Sequence, residues 1–312
     1  MPQEPHEPTL HDAAVVAREL LGLAVVNAEP HQSRFGRASW RFRVRGGGAD
    51  LLLKINRQPG EPIGAYYHER LDEAGVPVPA MLAWSPNCWA HAHAGAVYQW
   101  VEGTPAEFRL DEPPPYDEVQ MGEILRAIHD IGHSDGYGHL DDTGRGACAT
   151  WRDGLLSTWA IDACVRRGTL ERDLGDRLHG LVDQFAGKLA DARTGLLHYE
   201  DIMFSGNCIV AGSGRIAAIF DFGGAMAGDP MWELMVFDYY FGAHYPSGTL
   251  EPGFSLERFR RGYGLDYDPR APLQRLYAVG MALEKLAFLD PVSPRAKLNR
   301  ELARTIVAEL EG

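Results

Sequence analysis

The fold class this sequence predicts is α+β in two lobes, an antiparallel sheet with a helix followed by a mainly helical region. Three observations carry the expectation. Short β-like runs crowd the first third of the chain, and long runs with helical periodicity fill the remainder. The 312 residues also exceed the roughly 250 beyond which a single core tends to split. The boundary is expected near Glu102-Gly103, giving a first lobe over 1–101 and a second over 102–312.

Thr9 and Asp12 have capping-box spacing, with Asp standing in for the usual Glu or Gln, ahead of AAVVARELLGL. The first helix is therefore expected over 10–22. Strands follow at Ala24 to Ala28, Ser39 to Val44 and Leu51 to Ile55, and Gly46-Gly47-Gly48 suits a tight turn between the last two. The run AYYHERLDEAG reads as a helix ended by Gly75 at its C-cap, and Val76-Pro77-Val78-Pro79 forces an extended exit. Strands at Met81 to Trp84 and Ala96 to Val101 complete a sheet of about five strands. Beyond Gly103 helices are expected over Tyr116 to Ile131, Thr150 to Arg166, Leu170 to Ala192, Met231 to Phe241, Pro272 to Leu289 and Pro294 to Leu310. DEPPPY at 111–116 reads as a rigid surface loop.

A composition of 45% hydrophobic and 23% charged residues is that of a soluble globular protein, and no apolar run approaches the ~20 residues of a membrane span. The acidic, proline-rich start MPQEPHEPTL has no apolar core of the kind a signal peptide needs. Cys88, Cys148, Cys164 and Cys208 form no C-x-x-C pair, so free thiols and a cytoplasmic location are expected. A net charge of −13 argues against nucleic acid as a partner and favours a cationic small molecule. Cys88, His91 and His93 lack a fourth ligand at zinc-site spacing, and Arg166-Arg167 reads as a solvated helix end.

The chemistry is concentrated between Leu197 and Asp229, which reads LHYEDIMFSGN, then CIVAGSGRIAAIF, then DFGGAMAGDP. Metal-assisted phosphoryl transfer uses a loop Asp to accept the proton of the attacking hydroxyl and an Asn a few residues later to hold one Mg²⁺. The Asp of D-F-G then holds the metal that bridges the ATP phosphates. Asp201, Asn207 and Asp221 can fill these posts, with Glu200 a competitor for the base and His198 bracing the loop. Asn207 opens a strand that can pair with IAAIF across Gly212-Ser213-Gly214, which brings Asn207 and Asp221 to one end of a hairpin. Two oxygen ligands there suit Mg²⁺, which favours carboxylate and phosphate partners. Lys54, between Leu53 and Ile55, sits in an apolar strand where a bound phosphate would stabilise its ammonium. The segment Gln32 to Gly36, with Ser33 near its start, is placed to cover phosphates.

These residues resemble the aminoglycoside phosphotransferase and choline kinase-like family, whose pattern is H-G-D-x-x-x-x-N, a hairpin, I-D-F-G and then G-D-P. The likeness extends to Gly75 through Pro79, Lys54, Leu125, His129 and Thr150-Trp151-Arg152-Asp153, the last similar to hygromycin B phosphotransferases. It implies a protein-kinase-like two-lobe fold, with 1–101 covering the nucleotide and 102–312 holding the catalytic loop, metal and acceptor. It further implies ATP (or GTP) and Mg²⁺ as cofactors, and adenine held by a hinge over Gln99, Trp100 and Val101. A helix carboxylate is expected to partner Lys54, and Glu69 is the candidate. The chain departs from the pattern in the catalytic loop, where Tyr199-Glu200 replaces the Gly and Asp201 to Asn207 is one residue longer. Asp153, Asp162, Glu233 and Asp238 are expected to draw a polycationic acceptor. The resemblance implies an antibiotic kinase, monomeric or homodimeric, whose acceptor is an aminoglycoside or a tuberactinomycin peptide such as capreomycin or viomycin. The alternatives are a nucleotide-binding sensor without transferase activity and a kinase of a metabolic amino alcohol or sugar. No A-P-E segment follows D-F-G at activation-loop spacing, which argues against a protein kinase.

Overall fold

A computed structural model describes residues 7–22, 24–31, 39–106, 112–133, 135–198, 207–241 and 253–312. In chain order the elements begin α1 (Leu10–Leu21), β1 (Val25–Pro30), β2 (Ser39–Gly46), β3 (Ala49–Asn56), α2 (Ala65–Glu73), β4 (Met81–Trp89), β5 (His93–Gln99) and β6 (Thr104–Pro105). They continue with α3 (Glu118–Asp130), β7 (Tyr137–Leu140), β8 (Gly146–Cys148), α4 (Trp151–Trp159), α5 (Ile161–Arg166), α6 (Arg172–Gln184), α7 (Ala186–Ala190) and β9 (Gly195–Leu197). The last are β10 (Cys208–Val210), β11 (Ile216–Ile219), β12 (Met226–Gly228), α8 (Pro230–Phe241), α9 (Leu256–Tyr263), α10 (Pro272–Phe288) and α11 (Pro294–Glu311). Among the described residues no helix is long and apolar enough to cross a membrane.

The chain forms two compact units, the first from Met1–Glu107, Asp141–Gly144 and Asp201–Gly224, the second from the remainder. In the first, β1-β2-β3-β5-β4 make one sheet in which every neighbour is antiparallel. Period-two alternation gives that sheet two faces. Trp40, Phe42 and Val44 of β2 lie opposite Ile55, Leu53 and Leu51 of β3, and this face packs on Ala13, Val16 and Ala17 of α1. The other face carries Arg41, Arg43, Leu52 and Lys54, with Ala96 and Tyr98 from β5. The capping box expected at Thr9 and Asp12 is formed in full and starts α1. A second sheet, β11-β10-β6, holds the expected hairpin.

The second unit sets β8-β7-β12-β9 against the remaining helices. Close helix contact there depends on small residues: a Cβ on Gly122 of α3 would lie 2.2 Å from the Phe259 carbonyl oxygen, and one on Gly262 of α9 2.0 Å from that of Val119. The helix expected over Thr150 to Arg166 is two helices, because Ala160 takes a left-handed conformation (φ 50°) between α4 and α5. The run expected from Leu170 to Ala192 likewise divides into α6 and α7. The four cysteines are free.

Candidate active site

The site grows from the polar face of the first sheet. Lys54 leaves β3 on the side away from α1, and the D-F-G segment meets it from the hairpin. Phe220 N–H donates to the Asn207 carbonyl at 2.8 Å, so the strand register sets Asn207 beside the residue preceding Asp221. Ile219 N–H donates to the Pro77 carbonyl at 2.8 Å, which fixes β11 to the segment after α2. Asp221 then turns out of the strand at φ 69°, a left-handed conformation that Asp tolerates better than most side chains. Its Oδ1 accepts a hydrogen bond from Lys54 Nζ at 2.9 Å, and Arg41 Nη2 lies 3.7 Å from Oδ2. Arg41, Leu52, Lys54, Tyr98, Phe220, Asp221 and Phe222 line one recess.

Helix α2 braces this turn. Phe222 packs against the rings of Tyr67 and His68, with centroids 5.7 and 5.0 Å away. Gly64, at φ 77°, sits so close that a Cβ there would lie 2.6 Å from the Phe222 carbonyl oxygen. The helix start lacks a local side-chain cap and is capped at a distance: Asp142 accepts the N–H groups of Ile63 and Ala65 at 3.1 and 3.0 Å. Burial holds the His68 imidazole down to about 4, against the opposing effects of the Pro79 backbone carbonyl and Asp72. Burial also raises the Tyr98 hydroxyl, helped by the charges of Asp221 and Asp142. Glu61 is raised for the same first reason, opposed by Lys54 and reinforced by Asp221.

Asn207 and Asp221 fit a magnesium ion by donor chemistry. One amide oxygen and one carboxylate are too few for a protein cage, and among the described residues no cluster of three or more His, Cys, Asp or Glu side chains supplements them. Mg²⁺ takes one or two protein ligands and fills its shell with water and substrate phosphate.

The structure separates the other sequence-predicted residues by role. Gln99 ends β5 exposed, its N–H donating to Ala80 at 2.8 Å. Trp100 and Val101 follow half-buried, with the Arg43 guanidinium 4.4 Å from the Trp100 ring centroid and the His31 ring edge-on at 5.1 Å. The expected pair between Lys54 and Glu69 is not formed: Glu69 lies on the exposed side of α2, whose buried side carries Ala65, Tyr67, His68 and Leu71, and Lys54 pairs with Asp221. Ser33, Glu200 and Asp201 lie outside the described residues.

In the second unit, the carboxylates expected to face an acceptor do not act alike. Glu233 is 1% exposed, and its Oε2 accepts from the His198 backbone N–H at 2.9 Å and faces His129 Nε2 at 2.8 Å. The other nitrogen of His129 meets the Tyr263 hydroxyl at 2.9 Å. Asp238, also 1% exposed, is taken up by Arg260 and Tyr267. Both are interior anchors, because a buried carboxylate needs its partners inside the fold. Asp153 and Asp162 remain at the surface, the first capping α4 with Thr150 and paired with Arg152, the second facing His179 at 3.2 Å. His198 is 1% exposed and is held through its backbone N–H by Glu233. Asp229 of G-D-P is also a brace: it accepts from Met231 N–H at 2.9 Å and the Tyr277 hydroxyl at 2.8 Å, and Trp151 Nε1 donates to Tyr277 at 3.1 Å. Sequence reasoning missed Arg41, Glu61 and Asp142. The alternation SWRFRVRG puts Arg41 on the polar face, but only the register opposite Lys54 singles it out.

Residues 30–273 match the phosphotransferase enzyme family (APH). No curated protein matches the sequence significantly. Among solved structures, a thermostable mutant of aminoglycoside phosphotransferase APH(4)-Ia, in ternary complex with AMP-PNP and hygromycin B, superposes with a TM-score of 0.67 at 20% identity, covering 96% of this chain and 99% of that one. A candidate fructosamine-3-kinase from Thermobifida fusca YX-ER1 gives 0.64 at 17% identity, covering 96% and 100%. Spectinomycin phosphotransferase APH(9)-Ia, in complex with ADP and spectinomycin, gives 0.57 at 15%, covering 98% and 99%. At such identities the likeness is one of fold, the kinase-like α+β fold expected from the sequence.

Proposed function

Since the chain belongs to the phosphotransferase enzyme family and is a small-molecule kinase, we propose that it uses ATP and Mg²⁺ to phosphorylate a hydroxyl of a cationic antibiotic and so confers resistance. The acceptor class in this reading is an aminoglycoside or a tuberactinomycin peptide such as capreomycin or viomycin. The observation that carries the nucleotide part is the 2.9 Å pair between Lys54 and Asp221, a phosphate-seeking cation and a metal-seeking carboxylate held on one recess. The acceptor part is supported by the net charge of −13 and by the exposed Asp153 and Asp162.

In the proposed roles Asn207 and Asp221 hold the metal, Lys54 steadies the nucleotide phosphates with help from the Ser33 segment, and backbone groups of Gln99 to Val101 receive the base. Mg²⁺ supplies neutralisation of the charge that develops on the transferred phosphoryl group. Asp201, or Glu200 beside it, orients the acceptor hydroxyl and takes its proton as the oxygen attacks. His198 keeps that loop in place, since its N–H is tied to Glu233, itself clamped by His129. Residues 1–101 cover the nucleotide and 102–312 supply catalytic loop, metal ligands and acceptor contacts. A cytoplasmic location accords with the free thiols.

Mass spectrometry of a panel comprising aminoglycosides, capreomycin, viomycin, fructosamines and amino alcohols, each incubated with the protein, Mg²⁺ and ATP or GTP, tests this reading. Phosphorylation of a cationic antibiotic supports it. Phosphorylation confined to fructosamines or amino alcohols makes the protein a metabolic kinase, and nucleotide binding without transfer to any acceptor makes it a sensor.

A further inference from the structure

Arg41 has no part in the roles above, yet it stands opposite Lys54 in the strand register and both side chains turn to Asp221. Their commitments differ. Lys54 makes a hydrogen bond at 2.9 Å, whereas the 3.7 Å from Arg41 Nη2 to Oδ2 is a charge contact too long for one. Arg41 Nε donates to Ser39 Oγ at 3.2 Å, and among the described residues its Nη groups make no hydrogen bond. The side chain is only 15% exposed. A guanidinium held at the edge of this recess with its fork free of hydrogen bonds can take up an anion without giving up a bond it already makes. Its planar donors match a phosphate through two parallel N–H···O bonds, a geometry that an ammonium lacks.

The balance of charge points the same way. Two cations, Lys54 and Arg41, face Asp221, and Glu61 lies near enough for Lys54 and Asp221 both to act on its ionisation. Glu61 Oε2 is buried without a hydrogen-bond partner. Apart from Asp221, Arg41 has no carboxylate within ion-pair distance among the described residues.

We propose that Arg41 is a second phosphate-binding cation, gripping the polyphosphate of the nucleotide alongside Lys54, an assignment that rests on the nucleotide-dependent reading above. Calorimetric titration of ATP, AMP and adenosine in the presence of Mg²⁺ tests it on the wild type, Arg41→Met and Arg41→Lys, with thermal unfolding of each apo protein alongside. Arg41→Met should weaken ATP at least about 10-fold, the scale of one lost charge-assisted hydrogen bond, and leave adenosine within about 2-fold. Arg41→Lys should recover part of the loss, because it restores the charge and not the fork. Arg41→Met binding ATP as tightly as the wild type would overturn the assignment and leave the kinase reading standing. Equal loss of ATP and adenosine would reduce Arg41 to a structural residue and overturn it as well. Failure of the wild type itself to bind ATP or GTP would remove both proposals together.

Discussion

Asp221 occupies a left-handed backbone position and is shared by two cations, so its substitution by alanine removes a charge and adds backbone strain as well. Asp221→Ala is expected to abolish Mg²⁺-dependent nucleotide binding, measured by titration with and without the metal. Asp201→Ala should spare binding and lower kcat by at least about 10²-fold, the usual range for a positioned proton acceptor. If Glu200→Ala gives that loss instead, Glu200 is the base. At this scale the sequence was legible where a motif names the residue, as at Lys54 and Asp221, and not where a pairing depends on helical phase. Glu69 is the nearest carboxylate to its expected place along α2, but the phase of the helix turns it to solvent. Glu61, in the loop before the helix, comes near Lys54 with no spacing rule to announce it.

Helix α2 shows what one element does for the site, because its start and its buried face both support Phe222. Alanine at 64 would incur about 1–2 kcal/mol for the left-handed backbone alone and would also push on the Phe222 carbonyl. Gly64→Ala should therefore lower both Tm and nucleotide affinity, whereas Asp142→Ala should cost about 1 kcal/mol as a lost helix cap. His68 gives the helix a pH dependence. Its folded value of about 4 lies below the ordinary 6.5, so its contribution is complete above pH 6.5 and is lost as the unfolded chain takes up the proton between there and pH 4. The full difference is about 3 kcal/mol. Thermal melts from pH 7 to pH 4 should fall less steeply for His68→Phe than for the wild type. Long elements were legible because their periodicity runs for several turns or pairs. The break at Ala160 carries no glycine or proline signal, and strands of two to four residues such as β6, β9 and β12 are too short for alternation to register.

For the whole molecule, the net charge of −13 is the property an approaching cation meets first. With Glu233 and Asp238 committed internally, attraction falls to the overall field and to exposed groups such as Asp153 and Asp162. Raising salt to about 1 M, where the screening length is about 3 Å, should increase the KM of a cationic acceptor several-fold with little change in kcat. A KM indifferent to salt would remove electrostatics from acceptor capture. The class of fold was readable from the sequence, since a β-rich start and helical remainder survive in relatives of 15–20% identity. The path of the chain through it was not. The first unit also includes Asp141–Gly144 and Asp201–Gly224, which are made long after its five-stranded sheet. A ribosome must therefore deliver most of the polypeptide before that unit has its last strands. A fragment ending at residue 101 should remain unfolded by circular dichroism, and nascent chains should acquire protease resistance over this sheet only once residue 224 has emerged.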